Sequence, residues 1–164
     1  MRKFVQGPMP DNKIVNLDNV SNIAFEEYKD RDENQKYKII FNFNYAVSLK
    51  SNDDKLISDY VYFVYDNKSE YDVMIDELSK LINEKMWIAP MIGGYVSRIA
   101  NPDKISFVAT DSRKNRIILN LATSVSFYSS YSRKTSDFLY FDFLNEQEYK
   151  ENLEYIKEQL NQEF

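Results

Sequence analysis

The 164-residue chain contains no histidine and no cysteine. The groups that most often act as general base, thiol nucleophile or zinc ligand near neutral pH are therefore missing. A Ser-His-Asp triad is impossible, and neither a disulfide framework nor thiolate chemistry can be built. Carboxylate chemistry remains: 26 Asp and Glu residues leave glycosidase-like pairs conceivable. The carboxylates that stand out read first as structure. Glu70 and Glu148 follow Asn67 and Asn145 by three residues, the spacing of a helix capping box. Asp59 and Asp137 precede strands, where a turn residue is expected. No nucleophile, base and electrostatic partner assemble from the sequence, so the chain is expected to be a non-enzymatic protein without a cofactor.

Two further patterns look like ligand loops and fall short of them. Asp30-Arg31-Asp32-Glu33-Asn34 resembles the start of a calcium loop, but the positions that need the central Gly and the twelfth-place Glu hold Gln35 and Phe41. A solvated insertion is the better reading, and no metal site is expected. Gly93-Gly94 is the only glycine pair, and neither a GxGxxG nor a P-loop lysine surrounds it.

Three segments are candidate contact surfaces. The acidic stretch with Asp30, Asp32 and Glu33 could mimic nucleic-acid phosphates for a basic partner, or simply keep the protein soluble. Tyr128, Tyr131, Arg133 and Lys134 mix aromatics with cations, which suits base stacking with phosphate contact, a protein hot spot or an ordinary loop. The junction Met86-Trp87-Ile88-Ala89-Pro90-Met91-Ile92-Gly93-Gly94-Tyr95 holds the only Trp and is too apolar for a flexible linker. It reads as buried between the copies, with an exposed adhesive patch formed by Trp87, Met86 and Met91 as the alternative.

These residues must be held by elements, and the elements are legible in the pattern. Ile39-Ile40-Phe41-Asn42-Phe43 matches Ile117-Ile118-Leu119-Asn120-Leu121 in character at every place, at an offset of 117 minus 39, or 78. The offset persists without a gap from Ile39 to Asn83, and roughly a third of those positions are identical. Upstream, Asn16-Leu17-Asp18 to Ala24 resembles Asn101-Pro102-Asp103 to Ala109 at an offset of 85, so a seven-residue insertion falls near Glu26 to Lys36.

From Tyr37 to Leu49 every odd position is apolar or aromatic, the period of a long strand with one buried face. Val20 to Tyr28 and Tyr60 to Tyr65 read as further strands, with Ile14-Val15 as a short first one. Tyr71, Met74, Ile75, Leu78 and Ile82 then recur at helical spacing, as do Tyr149, Leu153, Ile156 and Leu160. The fold class is thus α+β: two tandem ββββα repeats, residues 1–85 and 86–164, related by a pseudo-twofold axis. Antiparallel sheets would pack on two amphipathic helices around one shared core.

This ββββα-ββββα order is similar to that of the Whirly family of single-stranded DNA-binding proteins, although the family's Lys-Gly-Lys-Ala-Ala type of motif is absent. The resemblance covers topology alone and implies no binding residues. The opening Asn16 to Ile23 also resembles small proteins of low-GC bacteria and their phages.

Charge bounds the partners. A net charge of −5 and a sequence pI near 4.9 give no global positive field to collect phosphate backbones. Met1-Arg2-Lys3-Phe4-Val5 is followed at once by Gln6, Gly7 and Pro8, so no signal peptide is expected, and no stretch is long and apolar enough to span a bilayer. The expectation is a cytoplasmic protein-binding module of the phage or mobile-element accessory or inhibitory (anti-defence or immunity) type, acting by occupying a partner's surface. The alternative is a single-stranded nucleic-acid-binding protein using an aromatic-rich sheet.

Overall fold

The computed structural model describes residues 4–10, 13–51, 54–84, 87–121 and 138–161, and the side chains of all of these except 44–51, 54–59 and 84. The chain is an α+β protein with antiparallel sheets and two helices. A two-stranded ribbon pairs β1 (Phe4–Gln6) with β2 (Ile14–Asn16). Strands β3 (Val20–Lys29), β4 (Gln35–Ser51) and β5 (Asp54–Tyr65) follow, and α1 (Lys68–Glu84) closes the first half. The second half carries β6 (Arg98–Ala100), β7 (Ile105–Asp111), β8 (Arg116–Leu121), β9 (Phe138–Asp142) and α2 (Glu146–Asn161). Among the described residues the larger sheets run β5-β4-β3-β6 and β7-β8-β9.

Two features differ from the sequence reading. Strand β1 precedes the expected first strand, because three residues are too few to display a period. The strand expected over Tyr60 to Tyr65 also starts earlier: β5 begins at Asp54, which pairs with Ser51 at the end of β4. Pairing of Val47 to Ser51 with Asp54 to Ser58 decides that segment's conformation against its polar composition.

Helix ends follow the expected capping chemistry in part. Asn67 Oδ1 accepts from the N–H groups of Ser69 (2.8 Å) and Glu70 (3.2 Å), and Asn145 Oδ1 accepts from Glu148 N–H at 2.9 Å. The Glu148 carboxylate, however, is engaged outside the helix end. Its oxygens accept from Leu144 N–H (2.9 Å) and, across the molecule, from Gly93 N–H (2.6 Å). Asn152 one turn on accepts from Met91 N–H (3.1 Å), and the Tyr155 hydroxyl accepts from Ala89 N–H (3.2 Å). One face of α2 therefore pins the junction backbone from Ala89 to Gly93.

Buried apolar side chains gather in two clusters. The first lies between the inner faces of β3, β4 and β5 and the apolar stripe of α1, with Ile23, Ile39, Phe41 and Leu78 all at 0% exposure. The second lies under α2 against Ile117, Leu119, Leu139 and Phe141. The β1–β2 ribbon crosses close over the first: a Cβ on Gly7 would stand 2.6 Å from Phe63, so only glycine fits there. Trp87 enters the first cluster and its neighbour Ile88 the second.

Buried polar groups are tied together where the halves meet. Asn42 Nδ2 donates to Asn22 Oδ1 (2.9 Å), Asn22 Nδ2 to Ser21 Oγ (3.0 Å), and Asn101 Nδ2 to Val20 O (3.0 Å). Tyr65 is the exception. Its hydroxyl is buried without a hydrogen-bond partner among the described residues. Burial, helped by the Glu77 and Glu70 carboxylates, pushes it up to about 12, and burial does the same to Tyr71. Both protons are held more tightly in the folded chain than at the ordinary tyrosine value of about 10. Their contribution is therefore full below about pH 10 and is lost as the pH rises towards about 12. Tyr65→Phe should flatten that alkaline decline in a urea titration and raise stability at neutral pH by about 1 kcal/mol. A loss of stability at neutral pH would show that the hydroxyl is bonded.

Candidate functional site

A residue on a strand faces one side of its sheet and its neighbours face the other, so the register identifies which residues turn away from the core cluster. On the first sheet that side is covered along β3, where Asn22 is 4% and Ala24 5% exposed, and opens towards β5. With Ile23, Phe41 and Val61 aligned inward, the outer side of the first sheet aligns Asn22 with Asn42 and Tyr60, Ala24 with Ile40 and Tyr62, and Glu26 with Lys38 and Val64. In the second sheet, Val108, Leu119 and Leu139 align inward. Its outer side aligns Phe107 with Asn120 and Phe138, Ala109 with Ile118 and Tyr140, and Asp111 with Arg116 and Asp142.

Each outer face thus carries two aromatic rings in a row along one strand. Tyr60 and Tyr62 stack with ring centroids 6.2 Å apart and planes 26° apart. Phe138 and Tyr140 do so at 6.3 Å and 29°. A cation lies over the second ring of each pair: Lys38 is 5.3 Å from the Tyr62 centroid, and the Arg116 guanidinium is 5.0 Å from that of Tyr140. Tyr62 is 41% exposed and Tyr140 51%, with Phe107 beside the latter pair at 53%. Rings of this size on a sheet surface are ready contact area with little rotamer entropy to lose.

The cations on these faces are already matched by carboxylates. Arg116 donates through Nε (2.5 Å) and Nη2 (2.8 Å) to the two oxygens of Asp142, a bidentate pair. That hydrogen bonding holds the Asp142 carboxyl below the usual carboxylate value and raises the guanidinium further. Lys38 stands 3.9 Å from Glu26, and Lys36 donates to Asp66 at 2.5 Å with Asp30 at 3.7 Å. A phosphate arriving here would compete with carboxylates that are already in place.

The residues singled out from the sequence do not converge on this face. Asp30 organises the turn between β3 and β4: its Oδ1 accepts from the N–H groups of Asp32 and Asn34, both at 2.9 Å, and these bonds lower its pKa. Asp32 and Glu33 are exposed in that turn, where Glu33 has a positive φ of 62°. Among the described residues no group of three or more Asp and Glu could hold a metal ion. Trp87 is core, 4% exposed, as the buried reading of the junction has it at that residue, whereas Met91 (49% exposed) and Tyr95 (80%) further along the junction lie at the surface. Tyr128, Tyr131, Arg133 and Lys134 lie outside the described residues. The aromatics the sequence reading missed are Tyr60, Tyr62, Phe138 and Tyr140. Their signal was present, since β5 carries aromatics at both parities of its period and one parity must face outward.

A cleft of about 220 Å³ lies beside Tyr62, lined by Gly7, Pro8, Met9, Pro10, Lys13 and Asp66 among others. Lys13 reaches over the same ring at 5.1 Å. No helix among the described residues is long and apolar enough to cross a membrane.

The fold and this surface define the protein at the level of an α+β chain with two aromatic outer faces. Comparison with protein-family models, with curated proteins and with solved structures found no match.

Proposed function

We propose that the protein is a non-enzymatic binding module that occupies the surface of another protein with the outer faces of its sheets, as an accessory or inhibitory protein of a phage or mobile element would. The observation that carries this reading is the pair of aromatic rows, each with one exposed ring (Tyr62 and Tyr140), whose cations Arg116 and Lys38 are already matched by Asp142 and Glu26. Tyr and Arg are the residue types that dominate protein hot spots, and charge-balanced aromatic surface favours a protein over a polyanion. A cytoplasmic setting suits a chain without cysteine.

The same proposal takes the halves as two copies of one unit. Support comes from the register: Ile39 pairs with Phe63 as Ile117 with Phe141, and Ile23 with Phe41 as Val108 with Leu119. The Ser21 hydroxyl donates to Asn42 O at 3.2 Å, as the Ser106 hydroxyl does to Asn120 O. Asn16 and Asn101 each cap a 3₁₀ turn by accepting from the N–H two residues on, at 3.1 Å. A shared ancestor would leave such a pattern, and a pseudo-twofold arrangement of the copies remains part of this proposal.

A second reading is single-stranded nucleic-acid binding in the manner of the Whirly-like strand and helix order, favoured by stacked rings with cations over them. The two readings separate experimentally. A photo-crosslinking residue at position 62 or 140 should label one discrete protein, whereas the same residue at exposed Lys157 on α2 should not. The double change Tyr62→Ala with Tyr140→Ala should weaken that complex by about 30-fold or more, the loss expected of hot-spot residues. Oligo(dT) at low salt should produce no saturable fluorescence change. Tight oligonucleotide binding lost in the double variant would replace the protein-binding reading.

A further inference from the structure

Strand β6 covers the outer edge of β3, and that contact is a template for an edge elsewhere in the molecule. The register aligns Asn22 with Ala100, Ile23 with Ile99 and Ala24 with Arg98. Phe25 N–H donates to Ser97 O and Asn101 N–H to Ser21 O, both at 2.9 Å. Alternate residues of a strand turn their backbone groups to the same side, so Ser21, Ile23 and Phe25 face β6.

Strand β7 stands to β8 as β3 stands to β4. Val108 opposes Leu119 as Ile23 opposes Phe41, and both ladders shift register one step earlier, between Ile105 and Phe107 and between Val20 and Asn22. Ser106, Val108 and Thr110 therefore turn their backbone groups to the outer edge of β7. No strand among the described residues pairs with that edge. Ser106, Phe107 and Thr110 are exposed along it. Unpaired edges of this kind are templates for strand addition.

The same chain carries a strand that matches β6. Lys13-Ile14-Val15-Asn16 repeats the character of Arg98-Ile99-Ala100-Asn101: a cation, an isoleucine, a small or branched apolar residue and an asparagine. Val15 is tied to Val5 of β1 as Ala100 is tied to Ile88. Gly7 N–H donates to Lys13 O at 2.8 Å, so Lys13 and Val15 face β1, and Ile14 and Asn16 turn their backbone groups outward. Ile14 is 64% exposed, whereas its counterpart Ile99, seated on β3, is 7% exposed. Within the chain β2 pairs only with β1 among the described strands.

We propose that the β7 edge takes β2 of a second copy of this chain, with Ile14 opposite Val108 and Asn16 reaching Ser106, extending β7-β8-β9 into a four-stranded sheet like β5-β4-β3-β6. The inference rests on the correspondence between the two halves and is independent of the partner proposed for the aromatic faces. Each copy offers one donor edge and one acceptor edge, so association is head to tail.

Sedimentation velocity from about 1 µM to about 1 mM tests this, a range that reaches weak contacts. The wild-type chain should grow in mass with concentration. Ile14→Asp alters an exposed donor residue, and Thr110→Pro removes an outward N–H at an exposed acceptor position. Each variant alone should stay monomeric while keeping its Trp87 emission. Mixed together they should form a complex that stops at one of each, because one retains the acceptor edge and the other the donor. The Tyr62→Ala and Tyr140→Ala double variant should assemble like wild type, which separates failure here from failure of the protein-binding reading. A wild-type chain that is monomeric throughout, edge variants that assemble normally, or monomeric variants that do not pair would each overturn the proposal.

Discussion

Phe41→Ala is expected to lower the unfolding free energy by about 3–5 kcal/mol, the range for removing a large aromatic side chain from a packed interior. Phe41 is fully buried on the inner face of β4, opposite Ile23 on one neighbour and Val61 on the other. Its ring meets that of Phe63 at a centroid distance of 4.8 Å. Phe63 in turn lies against Gly7, where the close approach of backbone leaves no room for a Cβ. The cavity left by Phe41 therefore cannot be filled by a simple shift of one neighbour, because Phe63 is held from the other side by the β1–β2 ribbon. A domain of this size has a total stability of about 5–15 kcal/mol, so the variant should unfold at much lower urea. A change below about 1 kcal/mol would show that the sheet and α1 do not pack as described.

Ile88→Ala should lower stability by about 2–5 kcal/mol, and the loss should be visible from the other cluster. Ile88 is fully buried in the second cluster, and its backbone exchanges hydrogen bonds with Ala100 at 2.8 and 2.9 Å. Ala100 belongs to β6, which pairs with β3 of the first sheet. Trp87, adjacent in sequence, sits in the first cluster and is the only Trp, so its fluorescence reports on that half alone. If the halves melt as one cooperative unit, Ile88→Ala should shift the Trp87 transition and the far-UV circular dichroism transition by the same amount. A Trp87 transition that stays in place while part of the dichroism moves would show two independently melting bodies.

The positions of the main strands and helices were legible in the sequence because their burial is one-sided. Odd positions of β4 are apolar because its inner face meets α1, and that alternation survives whatever the partner strand is. The stripes of α1 and α2 follow the same logic at helical period. The aromatic outer faces were half legible. Tyr60 and Tyr62 read as ordinary strand aromatics, and only the register with Asn42 and Ile40 fixes which side they take. The contacts by which Glu148, Asn152 and Tyr155 hold the junction were not legible, although Glu148 was read as a helix-end residue. Their partners at Gly93, Met91 and Ala89 lie 55 to 66 residues away in sequence, and no local pattern announces a bond of that span.

The sequence by itself determined the fold class, the antiparallel strands and the paired helices, and it excluded histidine and cysteine chemistry. Those properties depend on residue type and on periods of two or 3.6 residues, which a chain displays locally. Only the tertiary structure decided that β6 crosses to the edge of β3, that Trp87 and Ile88 enter different clusters, and that the outward aromatics carry their own counter-charges. Each of these is a contact between segments far apart along the chain, where the free energy depends on which surfaces meet in space and local pattern places no constraint on the choice.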